Sequence, residues 1–195
     1  LTGRIANMNQ INQIAKVHNL HVIEDAAQAV GASMMNKKSG SFGLTGCFSL
    51  HPLKNLHVYG DGGVVTTNNK NIYELIKKLR NHGLKNRDEC DFWGYNSRLD
   101  NIQAAIARIK LEHIDQINNR FIEIAKIYSQ ELRNLSTVPC EDANRKSVFH
   151  RNDVEICLKK LPLGKTEKKH FHLCSFEFLI VLSGKVEYSI GGKRL

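Results

Sequence analysis

The sequence has no long apolar run, no Cys-x-x-Cys pair, no arginine-rich arm and only three prolines. The longest apolar stretch is far short of a bilayer span, and no charged-then-apolar leader opens the chain. No membrane association is expected, and the cytoplasm is the expected compartment. Five cysteines (Cys47, Cys90, Cys140, Cys157, Cys174) are scattered and odd in number. That distribution argues against a disulfide framework and a cysteine zinc site, and fits a reducing compartment. A net charge of +9 raises the question of nucleic acid. Yet the basic residues are mixed with acids along the whole length, so no nucleic-acid partner is expected; the charge equally suits an anionic small molecule. There is no internal repeat and no low-complexity tract.

What is present is a globular composition, 42% hydrophobic and 24% charged, with room for one medium domain or two small ones. Ile5, Met8, Ile11, Ala15 and His18 recur at helical spacing. Residues 20–25 read as a short buried strand ending in two acids, Glu24 and Asp25. A Gly- and Ser-rich stretch, 31–46, leads to a second strand at 47–51, a turn at 60–63 and a β-branched strand at 64–67. Helical patterns follow: Ile72 to Leu79, Leu99 to Ile109, and Ile117 to Leu132, the last two read as either separate or continuous. An aromatic, polar loop fills 91–98. Strands alternating with helices predict an α/β fold. From residue 135 to 151 the chain is polar and irregular. Beyond it, 154–158 and 177–190 read as strands with no helix between them, which places a boundary near residue 150.

In an open α/β sheet, ligands sit at the carboxyl ends of strands. Asp25 closes one strand; Ser49 and Lys54 lie at and just beyond the end of another, so the three could converge on one crevice. An acid facing a lysine suggests a buried pair, and such a lysine can lose its proton and attack carbonyls. Pyridoxal phosphate needs these parts: a lysine for the imine, a carboxylate for the pyridine nitrogen and polar donors for the phosphate. The same residues also have plainer uses. An Asp after a strand caps helices, and a loop Lys is commonly a solvated charge.

The strings at 22–32, 46–55 and 60–63, then Arg80-Asn-His-Gly83, residues 94–100 and Gln103-Ala-Ala105, resemble in order the nucleotide-sugar aminotransferases of the DegT family. The likeness runs from about residue 1 to 150. It implies the large domain of the fold-type-I pyridoxal-phosphate transferases over 1–134, with 135–151 as a junction. Lys54 would form the Schiff base, be displaced by the amino donor and then carry the proton of the 1,3-shift. Asp25 would pair with the pyridinium nitrogen, Gln28 would lie against the ring and Ser49 would donate to the phosphate. Asn96 would reach the phosphate of a neighbouring subunit, implying a homodimer, and His51 would lend support nearby. Arg98 and Asp100 are expected to cap the helix that follows them. Family members that dehydrate sugars carry histidine in the lysine position, so Lys54 favours an aminotransferase, its substrates a nucleotide-linked keto-sugar and an amino-acid donor such as glutamate. The family's glycine- and threonine-containing phosphate turn is expected before Leu1 and its small domain after His150. Lacking both, the chain is expected to be a fragment that binds cofactor poorly and turns over little.

Residues 153–195 resemble half of another family. Gly164, His170-Phe-His172, Glu177 and Gly184 match the spacing of the first cupin motif. Two histidines two apart on a strand project from one face, and with Glu177 they could hold a divalent transition metal. The resemblance implies a partial cupin-like β domain over 152–195. Some cupins isomerise nucleotide-linked keto-sugars, so a fused pair would join two steps; a joined or truncated gene product explains the junction equally well.

Overall fold

A computed structural model describes residues 3–131 and 144–149 in full, and the backbone of the strand pairs at 136–137, 157–158, 189–190 and 193–194. The chain divides into two compact units, Leu1–Lys159 and Lys160–Leu195.

The first unit opens with α1 (Met8–Val17), started by Asn7, whose side chain accepts from the Gln10 amide. Then come β1 (Ile23–Asp25), β2 (Ser33–Met34), β3 (Lys37–Lys38), β4 (Thr45–Ser49) and β5 (Gly63–Thr66). Helix α2 (Lys70–Leu79) begins where the Asn69 side chain takes the Asn71 and Ile72 amides at 2.9 and 3.1 Å. Helices α3 (Asn101–Glu112) and α4 (Ile114–Glu131) break at His113, so the two patterns are separate helices. Ser136–Thr137 (β6) pairs with Cys157–Leu158 (β8), and Arg145–Lys146 (β7) pairs with β2. In the second unit, Ser189–Ile190 (β9) pairs with Lys193–Arg194 (β10).

The α/β expectation holds for the described residues. The central sheet runs β1-β4-β5, with β1 parallel and β5 antiparallel to β4. The Gly- and Ser-rich stretch conceals a hairpin. Met35 and Asn36 join β2 to β3 with φ of 50° and 63°, and the two positive values make the tight turn whose twist matches the strands.

Two apolar clusters hold the unit together. One gathers Ile5, Met8, Ala26, Ala29, Ala32, Met34 and Val148. The other gathers Leu50, Leu56, Val58 and Ile114. The alanines of the Asp25–Ala32 segment therefore serve packing, and they seat the turn after β1 firmly. Helix α1 buries only Met8 and Ala15; Ile14 and Val17 face solvent, as does Ile23 of β1.

Candidate functional site

The register decides which side chains share a face. Asp25 stands beside Cys47, and Ser49 is two residues further along β4. Partnered residues in a parallel pair point the same way, and side chains alternate along a strand. Asp25 and Ser49 therefore lie on one face, at the carboxyl end of the parallel pair. Glu24, beside Gly46, lies on the other. There its buried carboxylate accepts the amides of Gly40, Phe42 and Gly43. The two acids that close β1 thus do different work: Glu24 fastens a loop, while Asp25 remains exposed with one oxygen taking the Ala27 amide at 3.1 Å.

The turn after β4 places Lys54. Its amide bonds to the His51 carbonyl at 2.8 Å, and its own carbonyl accepts from the His57 ring at 3.0 Å. The His51 amide donates to Ser49 Oγ at 3.3 Å, so the Ser49 hydroxyl proton is left to donate to a ligand. His51 Nδ1 accepts from the Leu53 amide, which fixes the ring's proton on Nε2. Among the described residues the half-buried Lys54 ammonium has no ion-pair or hydrogen-bond partner. The buried Asp25–Lys54 pair expected from the sequence is therefore not formed: Asp25 turns to its own backbone, as a helix-capping or turn Asp does, and both groups stay open to a ligand. Gln28 is half-buried in the turn that leads away from β1.

Asn96 sits apart from these residues in sequence, on a segment that bridges back to Asn81. Backbone bonds from Tyr95 to Leu79, His82 to Tyr95 and Ser97 to Arg80 zip 79–82 to 95–97. Two strings that read as separate in the sequence, at 80–83 and 94–100, are thus one paired unit. Gly83 and Gly94 let them approach: a Cβ on Gly94 would stand 2.3 Å from the Gly83 nitrogen. The expected caps differ. Arg98 instead donates to Asn96 Oδ1 at 3.0 Å and Asn81 Oδ1 at 3.3 Å. Asp100 does stand at the N-cap of α3, just before Asn101, but its side chain makes no capping hydrogen bond.

Gln103 belongs to the 103–105 string, which by itself implies no role for the side chain. Its side-chain amide closes a ring with the Tyr59 backbone, accepting from the amide and donating to the carbonyl, both at 2.8 Å. It fixes the entry to the 60–63 turn. Lys110 lies over the Tyr59 ring, 4.5 Å from its centre, and burial pulls its ammonium below the ordinary value. His170, His172 and Glu177 fall outside the described residues. Among the described residues no group of three or more His, Cys, Asp or Glu side chains is placed to hold a metal ion. No helix among them is long and apolar enough to cross a membrane.

Residues 1–167 match the DegT/DnrJ/EryC1/StrS aminotransferase family. The chain belongs to that family. It is 48% identical over 151 residues to a dTDP-3-amino-3,6-dideoxy-alpha-D-galactopyranose transaminase of Aneurinibacillus thermoaerophilus, covering 77% of this chain and 42% of that protein. It is 40% identical over 157 residues to a UDP-N-acetyl-3-dehydro-alpha-D-glucosamine 3-aminotransferase of Acidithiobacillus ferrooxidans, covering 80% and 42%. Among solved structures, S. venezuelae DesV superposes with a TM-score of 0.74 at 38% identity, covering 77% of this chain and 41% of that one. The chain thus spans about two fifths of the length of these relatives.

Proposed function

We propose that this chain carries the cofactor-capturing part of a pyridoxal-phosphate-dependent aminotransferase acting on a keto-sugar linked to a nucleoside diphosphate. The observation that carries the reading is Asp25 and Ser49 sharing one sheet face, with an unpaired Lys54 in the turn directly after Ser49. The donor set fits the group: a carboxylate with a free oxygen, a hydroxyl with a free proton and a primary amine. The names of the relatives supply the substrate class, and glutamate is the expected amino donor.

In this reading Lys54 holds the cofactor by its ε-amine and, once displaced, moves the proton of the amino transfer. Asp25 keeps the pyridine nitrogen protonated, Ser49 donates to the phosphate and Gln28 lies against the ring. The cofactor, when bound, supplies the electron sink for that transfer. Asn96 serves a second copy of the chain in a homodimer, and the cytoplasm is the compartment. For 152–195 the spacing of His170, His172 and Glu177 supports a cupin-type metal- or sugar-binding module. Loss of bound metal in His170→Ala tests that part.

Because the chain spans about two fifths of its relatives' length, cofactor capture is the readout rather than turnover. Titration with pyridoxal phosphate should raise a near-visible band that borohydride fixes to Lys54, as read by peptide mass. In Lys54→Ala the band should vanish. A band of equal strength in that variant would end the proposal.

A further inference from the structure

Beside Lys54 lies a pair of buried amides that the chemistry above does not use. Asn55 and Asn118 are 4% and 0% exposed, 63 residues apart in sequence. Asn55 Nδ2 donates to Asn118 Oδ1 at 2.8 Å and to the Val148 carbonyl at 3.3 Å. Asn118 Nδ2 donates to the Val30 carbonyl at 2.9 Å. Carbonyls only accept, so both amide orientations are fixed by chemistry. A Cβ on Gly31 would meet Asn118 Nδ2 at 2.5 Å, so the glycine makes room for this side chain.

The network therefore ties four segments to one point: the turn after Asp25, the turn carrying Lys54, helix α4 and the chain just past β7 at Val148. Asn118 also interrupts an apolar helix face, four residues after the buried Ile114 and three before the half-buried Phe121. Leucine there would bury apolar surface with no polar atom to satisfy. Instead the protein keeps two amides, and Asn55 Oδ1 is left with no hydrogen-bond partner. Amides differ from leucine in being directional, and direction matters where the neighbouring residue must be aimed.

We infer that Asn55 and Asn118 form a positioning pair that holds the Lys54 turn in register with the turn after Asp25. The inference rests on the reading of Lys54 given above. The test uses the full chain with Asn118→Leu, which does not lower helix propensity, and Asn118→Ala should the first not fold. Hydrogen exchange is followed by segment, and pyridoxal phosphate is trapped with borohydride and located by peptide mass.

Loss of the Asn55 bond should speed exchange at 51–58 about tenfold. Exchange at 45–49 and 63–66 should stay as it was. Trapping at Lys54 should slow by about the same factor, while trapping at the surface lysines Lys77 and Lys78 is unchanged. A uniform rise in exchange over all segments, which a merely structural role gives, would overturn the inference. So would unchanged exchange at 51–58, or unaltered trapping at a Lys54 that traps normally in the parent chain. If 51–58 responds as expected but the parent chain never favours Lys54, the pair's hold on the turn stands and the cofactor reading falls.

Discussion

The adjacent acids of β1 make opposite predictions for one substitution chemistry. Glu24 is 8% exposed and accepts three backbone amides through both carboxylate oxygens, from Gly43 at 2.7 Å, from Gly40 at 2.8 Å and from Phe42. Hydrogen bonds to a charged acceptor contribute about 1.5–3 kcal/mol each and neutral ones about 1. Glu24→Gln keeps at best the two neutral bonds on its carbonyl oxygen and sets an NH2 against the Gly40 amide. The difference is at least about 2.5 kcal/mol, or a melting midpoint lower by at least about 5 °C for a chain of this size. Asp25→Asn is the control. Its single acceptor bond to Ala27 survives on the amide oxygen of an exposed side chain, so stability should change by no more than about 0.5 kcal/mol. Thermal melts without cofactor, followed by circular dichroism, read both. A Glu24→Gln midpoint within about 2 °C of the parent, or an Asp25→Asn loss of equal size, would refute the division of labour between the two faces.

Three other outcomes are expected. Met35→Asn puts a residue at ease with positive φ into the β2–β3 turn and should stabilise by about 0.5–1 kcal/mol, seen as a higher urea midpoint. Gln103→Ala removes both bonds to the Tyr59 backbone and should cost about 1–2 kcal/mol, with faster hydrogen exchange confined to 59–63. The Lys78 hydrogen bond holds the Asp91 carboxyl below its ordinary 3.8, so this tie is fully made above that value and is lost as pH falls through the lower, folded one. Carboxyl NMR should find Asp91 titrating below 3.8 in the parent chain and close to it in Lys78→Ala.

Element types were legible because their periods are strong. The α/β alternation, the strand end at Asp25 and the three helices after residue 70 follow from apolar spacing, whereas the second strand lies at Thr45–Ser49, two residues before the expected 47–51. The β2–β3 hairpin was not, since its turn uses Met-Asn where local preference asks for Asn-Gly, and glycines on both sides read as loop. The pairing of 79–82 with 95–97 depends on glycines that meet only in space. Among site residues, Lys54, Asp25 and Ser49 carried chemical signals. The expected Asp25–Lys54 ion pair did not form, because proximity of strand ends says nothing about which partner a carboxylate takes. Asn118 was hidden by its helix: Ile117 and Phe121 marked the apolar stripe, and the asparagine lodged in it was the overlooked cue. Gln103 stands in one of the matching strings, but its role left no sign, because its partner is backbone 44 residues away.

The pleat of β1 and β4 also acts as a parity rule. Glu24 and Asp25 differ by one position, and that single step separates the loop-fastening side of the sheet from the side that Ser49 faces. Removing one residue within β4 would present Leu50 where Ser49 now stands and turn the hydroxyl away, while removing two would restore the same side at the cost of length. Engineering of this segment therefore has to proceed in even steps.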